Sequence, residues 1–169
     1  MSEFFSKWRG DGTALPPRAP SKTALLAGLG GLITLAILSL LLEQQQWPLV
    51  LGSFGASCVL VYGFPDVPFS QPRNVVLGHV ISSFSGLLFL HLCGPHWWSV
   101  ALAVGAAITA MILTRTVHPP AGSNPVIIYL QQPGWGFLLA PTLLGAALLV
   151  LIALFYNNAT RPGRYPKYW

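Results

Sequence analysis

Ionisable side chains are scarce in this sequence. Only 8% of its 169 residues are Asp, Glu, Lys or Arg, against about 25% in soluble domains, which argues against a cytosolic enzyme or a nucleic-acid-binding domain. Acids are rarest, and Glu43 and Asp66 are the only ones between residues 24 and 160. The nine Lys and Arg, which leave a net charge of +5, are divided between the two ends and two short loops, so they form no patch for a nucleic-acid partner. Cysteine is nearly absent as well. Cys58 and Cys93 fall in different apolar runs and support neither a disulfide framework nor a zinc site. Residues 1–23 carry Lys7, Arg9, Arg18 and Lys22 around Pro16, Pro17 and Pro20, with no apolar run, and read as a cytoplasmic tail rather than a signal peptide.

What the chain has in abundance is apolar surface, at 53% of residues. Crossing a bilayer core takes about 20 mainly apolar residues in a helix, and segments 24–42, 75–92, 98–114 and 137–156 meet that requirement without a charge. Two further segments are shorter. Residues 48–64 span the bilayer only with little tilt. Residues 116–134, TVHPPAGSNPVIIYLQQPG, hold too many prolines for one helix but suit an extended stretch that leads into a half-helix at 119–130. Broken segments of this kind survive in membranes when buried in protein or lining a cavity. The expectation is an all-α integral membrane protein with about six membrane segments, four long and two short or broken, followed by a cytoplasmic tail at 157–169.

Orientation follows from the basic residues, which favour the cytoplasmic side. Six crossings place all nine of them, Arg73 and Arg115 included, on one side with both termini. Trp47, Trp97, Trp98 and Trp135 then meet at the opposite interface. With four crossings Arg73 would change sides. Six segments divide into two groups of long, short, long, the second inverted, with Gly52-Ser53 and Gly122-Ser123 in comparable places. Small residues recur every fourth position at Asn74, Gly78, Ser82 and Gly86, and again at Ala101, Gly105 and Thr109. Such stripes bring helices close, within one subunit or between the subunits of a homo-oligomer.

TRTVHPPAGSNP at 114–125 resembles the signature of the HPP family of small integral membrane proteins. GSFGASCVLVYGFPDVPFSQPRNVVLGH at 52–79 is similar to that family's other long motif, and Tyr156-Asn157-Asn158 fits as well. The family is usually described with four spans. The resemblance implies membrane transport, nitrite-like in the plastid members, and without a plastid transit segment a bacterial inner membrane is the expected location.

An anion path needs hydrogen-bond donors and positive potential but no carboxylates, because stripping water from an anion is costly. Arg73 and Asn74 open one long helix, Arg115 closes another, and His118 precedes the prolines. Ser123 and Asn124 lie at the start of the half-helix, where free N–H groups and the helix dipole favour an anion. His79 lies a turn inside an apolar helix and needs a partner, while Ser53 and Ser57 share one face. These nine residues are the candidate substrate-binding set. For each a structural role stands beside the functional one: snorkelling anchors for the arginines, packing hydrogen bonds for the rest. No metal pair and no soluble domain for a cofactor is present, so a non-transporting scaffold or regulatory subunit is the main alternative and an enzyme the weaker one.

Overall fold

The structure, a computed structural model, describes residues 2–9, 11–45 and 50–169. Trp47 and Pro48, assigned above to an aromatic belt and to the start of a short segment, lie outside the described residues. Helices are the regular elements among the described residues. Three are long and apolar enough to cross a membrane: α2 (Ser21–Gln45), α4 (Pro72–Cys93) and α7 (Leu138–Thr160). α1 (Ser2–Ser6) precedes them, and α3 (Phe54–Gly63) and α5 (Trp97–Leu113) are shorter apolar helices. α6 (Asn124–Gln131) follows a 3-10 turn at Pro119–Ser123. The protein is a multi-pass membrane protein, and Leu25, Leu32, Leu113, Leu130 and Phe155 point outward as lipid-facing side chains do.

The helix ends follow local chemistry. Pro72 opens α4 in the first turn, where its missing N–H costs nothing, and Gly94 closes it at φ 76°, in the left-handed region. α3 is α-helical only to Cys58 and widens into a π-turn over Val59–Gly63. Side chains take up the carbonyls of this stretch: Asn157 Nδ2 donates to Val61 O at 3.1 Å and Ser70 Oγ to Leu60 O at 2.9 Å. Among the described residues of the 48–64 segment, the helix begins at Phe54, after Gly52 and Ser53. α7 is interrupted too, since Pro141 cannot continue a helix and Ala140 leaves it at φ −136°, ψ 123°.

Contacts between ends fix how the helices run. Tyr156 Oη, near the end of α7, donates to Leu26 O near the start of α2 at 2.7 Å. Tyr62, near the end of α3, packs its ring against Tyr156 at 5.4 Å. At the other end His91 of α4 meets Trp135, just before α7, at 5.2 Å. α4 and α5 pack side by side, with Ser85 Oγ donating to Ala103 O at 2.8 Å. α5 buries Ser99, Ala103, Ala107 and Met111. Its Ala101, Gly105 and Thr109 stripe faces outward instead.

The α4 stripe is covered within the chain. Asn74 Nδ2 donates to Val117 O at 3.0 Å, and Ser82 Oγ to Ala121 O at 2.6 Å. A Cβ at Gly78 would meet His118 Cβ at 2.7 Å and Thr116 O at 2.9 Å, and one at Gly86 would meet Pro125 Cα at 2.9 Å. The broken segment thus runs along a track that one face of α4 cuts for it.

Of the tail expected at 157–169, residues up to Thr160 continue α7 and the rest are docked. Tyr165 is buried and its Oη donates to Ser70 O at 2.8 Å, while Lys167 N donates to Gln71 Oε1 at 2.7 Å. Asp66 bridges Arg161 at 2.6 Å and Lys167 at 3.1 Å. The hydrogen bond from Arg161 holds the Asp66 carboxyl below its ordinary value of 3.8. Exposed pairs of this kind contribute about 0.2–1 kcal/mol, so the buried tyrosine anchors the tail more than the charges do.

Gly78→Ala should destabilise the protein by about 1–3 kcal/mol, the usual range for overpacking, because both obstructing groups belong to the tightly held segment. Gly105→Ala, which meets nothing within 4 Å, should stay within about 0.5 kcal/mol of the parent. Thermal unfolding in one detergent compares them, and equal midpoints would refute the track.

Candidate functional site

Four separated stretches of sequence converge on one buried polar cluster. α3 contributes Ser57 and the turn before it Ser53, α4 contributes His79 and Ser83, the broken segment His118 and Asn124, and the interrupted start of α7 Thr142. Each has 0% exposure except Ser53, at 3%. Buried polar groups must be paired, and these are.

Ser57 is the hub. Its Oγ lies 2.9 Å from His79 Nε2 and 2.8 Å from His118 Nε2, and the two rings stand 5.0 Å apart. The neighbours fix the tautomers. Phe69 O, 2.7 Å from His118 Nδ1, can only accept, so Nδ1 carries the proton and Nε2 is an acceptor. Asn124 Nδ2 lies 3.1 Å from His79 Nδ1, 2.9 Å from Ser83 Oγ and 3.3 Å from His79 O. A carbonyl cannot donate, which orients the amide and makes His79 Nδ1 an acceptor and His79 Nε2 a donor. Ser57 then accepts from His79 and donates to His118. Its single hydrogen cannot also serve Ser53 O, 3.2 Å away.

The starts of the two short helices meet here: Ser53 Oγ, at the beginning of α3, donates to Asn124 Oδ1, at the beginning of α6, at 2.7 Å. Thr142 Oγ1 closes the far side on Ser83 Oγ at 3.0 Å. The cluster contains no ionisable acid and no group of three His, Cys, Asp or Glu able to hold a metal occurs among the described residues. Chemically it is a set of neutral donors and acceptors placed at two helix starts.

The sequence matches the model of the family described as HPP, transmembrane region, over residues 16–166. The chain belongs to the HPP family. Two curated relatives, both named only as transmembrane proteins of Dictyostelium discoideum, are each 33% identical to it over 179 and 181 residues. Those alignments cover 99% of this chain but 57% and 63% of the relatives, so this HPP chain spans about three fifths of their length. No solved structure matches.

Of the nine residues singled out from the sequence, Ser53, Ser57, His79, His118 and Asn124 come together in the cluster. Asn74 stands next to it, bonded to Val117 O and within 3.3 Å of Tyr168 Oη. Arg73, in the first turn of α4, donates to Arg115 O at 3.0 Å and Thr114 O at 3.2 Å, so it binds backbone. Arg115, at φ 56°, is exposed in that turn. Ser123 is also exposed, its Oγ bonded to Pro120 O at 2.8 Å, outside the cluster. Ser83 and Thr142 were missed. Ser83 lies off the four-residue stripe, and Thr142 reads as one polar residue in an apolar run, although Pro141 beside it marked a break.

Ser57→Ala removes the acceptor of His79 Nε2–H and the donor to His118 Nε2. Each orphaned buried group costs about 1–3 kcal/mol, so the loss of unfolding free energy should far exceed that of Ser123→Ala, expected within about 0.5 kcal/mol. Matching stabilities for the two variants would mean that Ser57 is not the hub.

Proposed function

We propose that this HPP protein transports a small inorganic anion, nitrite-like by family resemblance, along a path that passes the Ser57 cluster. The meeting of the α3 and α6 starts at Ser53 and Asn124 carries the proposal. Each helix start turns the positive end of a dipole toward that point, and paired half-helices facing a common point inside a membrane are a recurring way to receive an ion. Hydroxyl, amide and imidazole donors without a carboxylate suit an anion that has shed water. Arg73 and Arg115 sit where an anion approaches from the α4 start. We read the protein as a transporter rather than an enzyme, because a backbone carbonyl, not a carboxylate, faces His118 Nδ1.

The reading includes six crossings in two inverted groups, α2–α3–α4 and α5–α6–α7. It is supported by opposite directions within each pair of equivalents: α3 ends near the α2 start, α6 near the α2 end, where Leu42, Gln131 and Pro133 line one recess. Both termini and the basic loops are then cytoplasmic, in a bacterial inner membrane. Placing a cysteine at the exposed Phe69 in a Cys93→Ser background tests this. The residue should react with an impermeant maleimide only from the cytoplasmic face, and labelling from outside refutes the orientation.

One observation favours a scaffold instead: every cluster member is satisfied and sealed, as a structural pin would be. Flux decides. Proteoliposomes should take up nitrite above empty vesicles, and a panel with nitrate, formate and chloride ranks selectivity. Asn124→Ala, folded and inserted, should lower uptake at least tenfold, and Arg115→Ala a few-fold by weakening anion approach. Uptake no greater than in empty vesicles across the panel would establish the scaffold reading.

A further inference from the structure

Away from the Ser57 cluster, a cavity of about 560 Å³ opens where the first turns of α2, the end of α3, the 64–67 loop and the last turns of α7 meet. Its walls are of two kinds. Leu26, Ala27 and the rings of Tyr62 and Tyr156 form an apolar side, and Lys22, Thr160 and Arg161 a polar one. Both cations stand where a spanning helix starts or stops: Lys22 is the second residue of α2, and Arg161 directly follows α7. The cavity therefore lies at the level where hydrocarbon gives way to water.

The charges around it do not cancel. Asp66 is the one acid on its wall, and both its oxygens are committed, Oδ2 to Arg161 Nη2 at 2.6 Å and Oδ1 to Lys167 Nζ at 3.1 Å. One carboxylate thus answers Arg161 and Lys167, which leaves Lys22 as excess positive charge on the cavity wall. Arg161 also has donors to spare: its Nη1 is buried and has no hydrogen-bond partner among the described residues. A buried guanidinium nitrogen without an acceptor is costly, and an oxyanion beside Arg161 would supply that acceptor after a small rotation of the planar group.

We propose that this cavity is a phosphate-binding site, with Lys22 and Arg161 as its cationic ligands. The amphipathic walls and the interfacial depth fit a phosphate carried on a glycerol backbone, the headgroup of an anionic phospholipid whose chains run down the α2 flank past Leu26. A soluble phosphate would meet the same two cations but make no use of the apolar wall. This site is separate from the anion path proposed above and holds whether or not the chain transports.

The test uses the full chain in a mild detergent, with phosphatidylglycerol, phosphatidylcholine or inorganic phosphate added. Native mass spectrometry counts retained lipid and thermal unfolding reads stabilisation. Phosphatidylglycerol should be retained and should raise the midpoint more than phosphatidylcholine, whose ammonium offsets the phosphate charge. Lys22→Gln, an exposed change outside the ion pairs, should weaken phosphatidylglycerol binding at least fivefold, and Arg161→Gln more. Lys167→Gln touches the same Asp66 but does not line the cavity, so it should leave binding near the parent level. Stabilisation by inorganic phosphate that Lys22→Gln removes would support the site and assign it a soluble source. Equal retention of the two lipids, or binding of phosphatidylglycerol unchanged in both Lys22→Gln and Arg161→Gln, would overturn the proposal.

Discussion

Backbone that leaves the α-helix within a membrane protein must find partners for its own peptide groups, and the stretch from Thr114 to Ser123, a coil followed by a 3-10 turn, is such a backbone. Nothing in lipid can bond its carbonyls. α4 provides the partners one turn at a time: Arg73 to the carbonyls of Thr114 and Arg115, Asn74 to Val117 and Ser82 to Ala121. Glycine is needed at 78 and 86 because the segment lies too close for a Cβ. Without that face of α4 there would be no broken segment, and without the broken segment Asn124 would not face Ser53. The cluster is downstream of one helix surface.

The same dependence explains why Arg73 is a poor candidate for holding a permeant ion. Its two terminal nitrogens are bonded to carbonyls of the turn after α5, so under the transport reading its charge acts at a distance while its donors are occupied. The groups at the helix starts are neutral. Under the transport reading this is the more useful division, since an ion that must leave again is better served by several moderate donors than by a bare cation deep in the protein.

Much of this was legible because the relevant chemistry is local. Prolines at 119, 120 and 125 mark where a helix can start, and the fourfold spacing of Asn74, Gly78, Ser82 and Gly86 marks a face for close approach. The spacing could not say what approaches, and the similar stripe on α5 turned out to face outward. Long-range pairs were silent for the same reason: Ser57 and His118 are 61 residues apart, and Asp66 and Arg161 are 95 apart. The docked tail was hidden by its composition. Arg161-Pro162-Gly163-Arg164 reads as a solvated end, and Tyr165, buried against the carbonyl of Ser70, is the main anchor that holds the tail. Arg115 and Ser123 carried suitable chemistry at suitable positions, but a left-handed turn and a bond back to Pro120 direct them elsewhere.

Ser57 shows how a satisfied network can still have somewhere to go. Its one hydrogen has two acceptors in reach, His118 Nε2 at 2.8 Å and Ser53 O at 3.2 Å. Turned to Ser53, it leaves His118 Nε2 as a bare acceptor beside the two helix starts, a state that costs about what any orphaned buried group costs, 1–3 kcal/mol. Under the transport reading an anion beside His118 would repel that bare acceptor, so occupancy would hold the Ser57 hydrogen on His118 Nε2. On a scaffold reading the second direction has no role; on a transport reading it is open to the empty site alone.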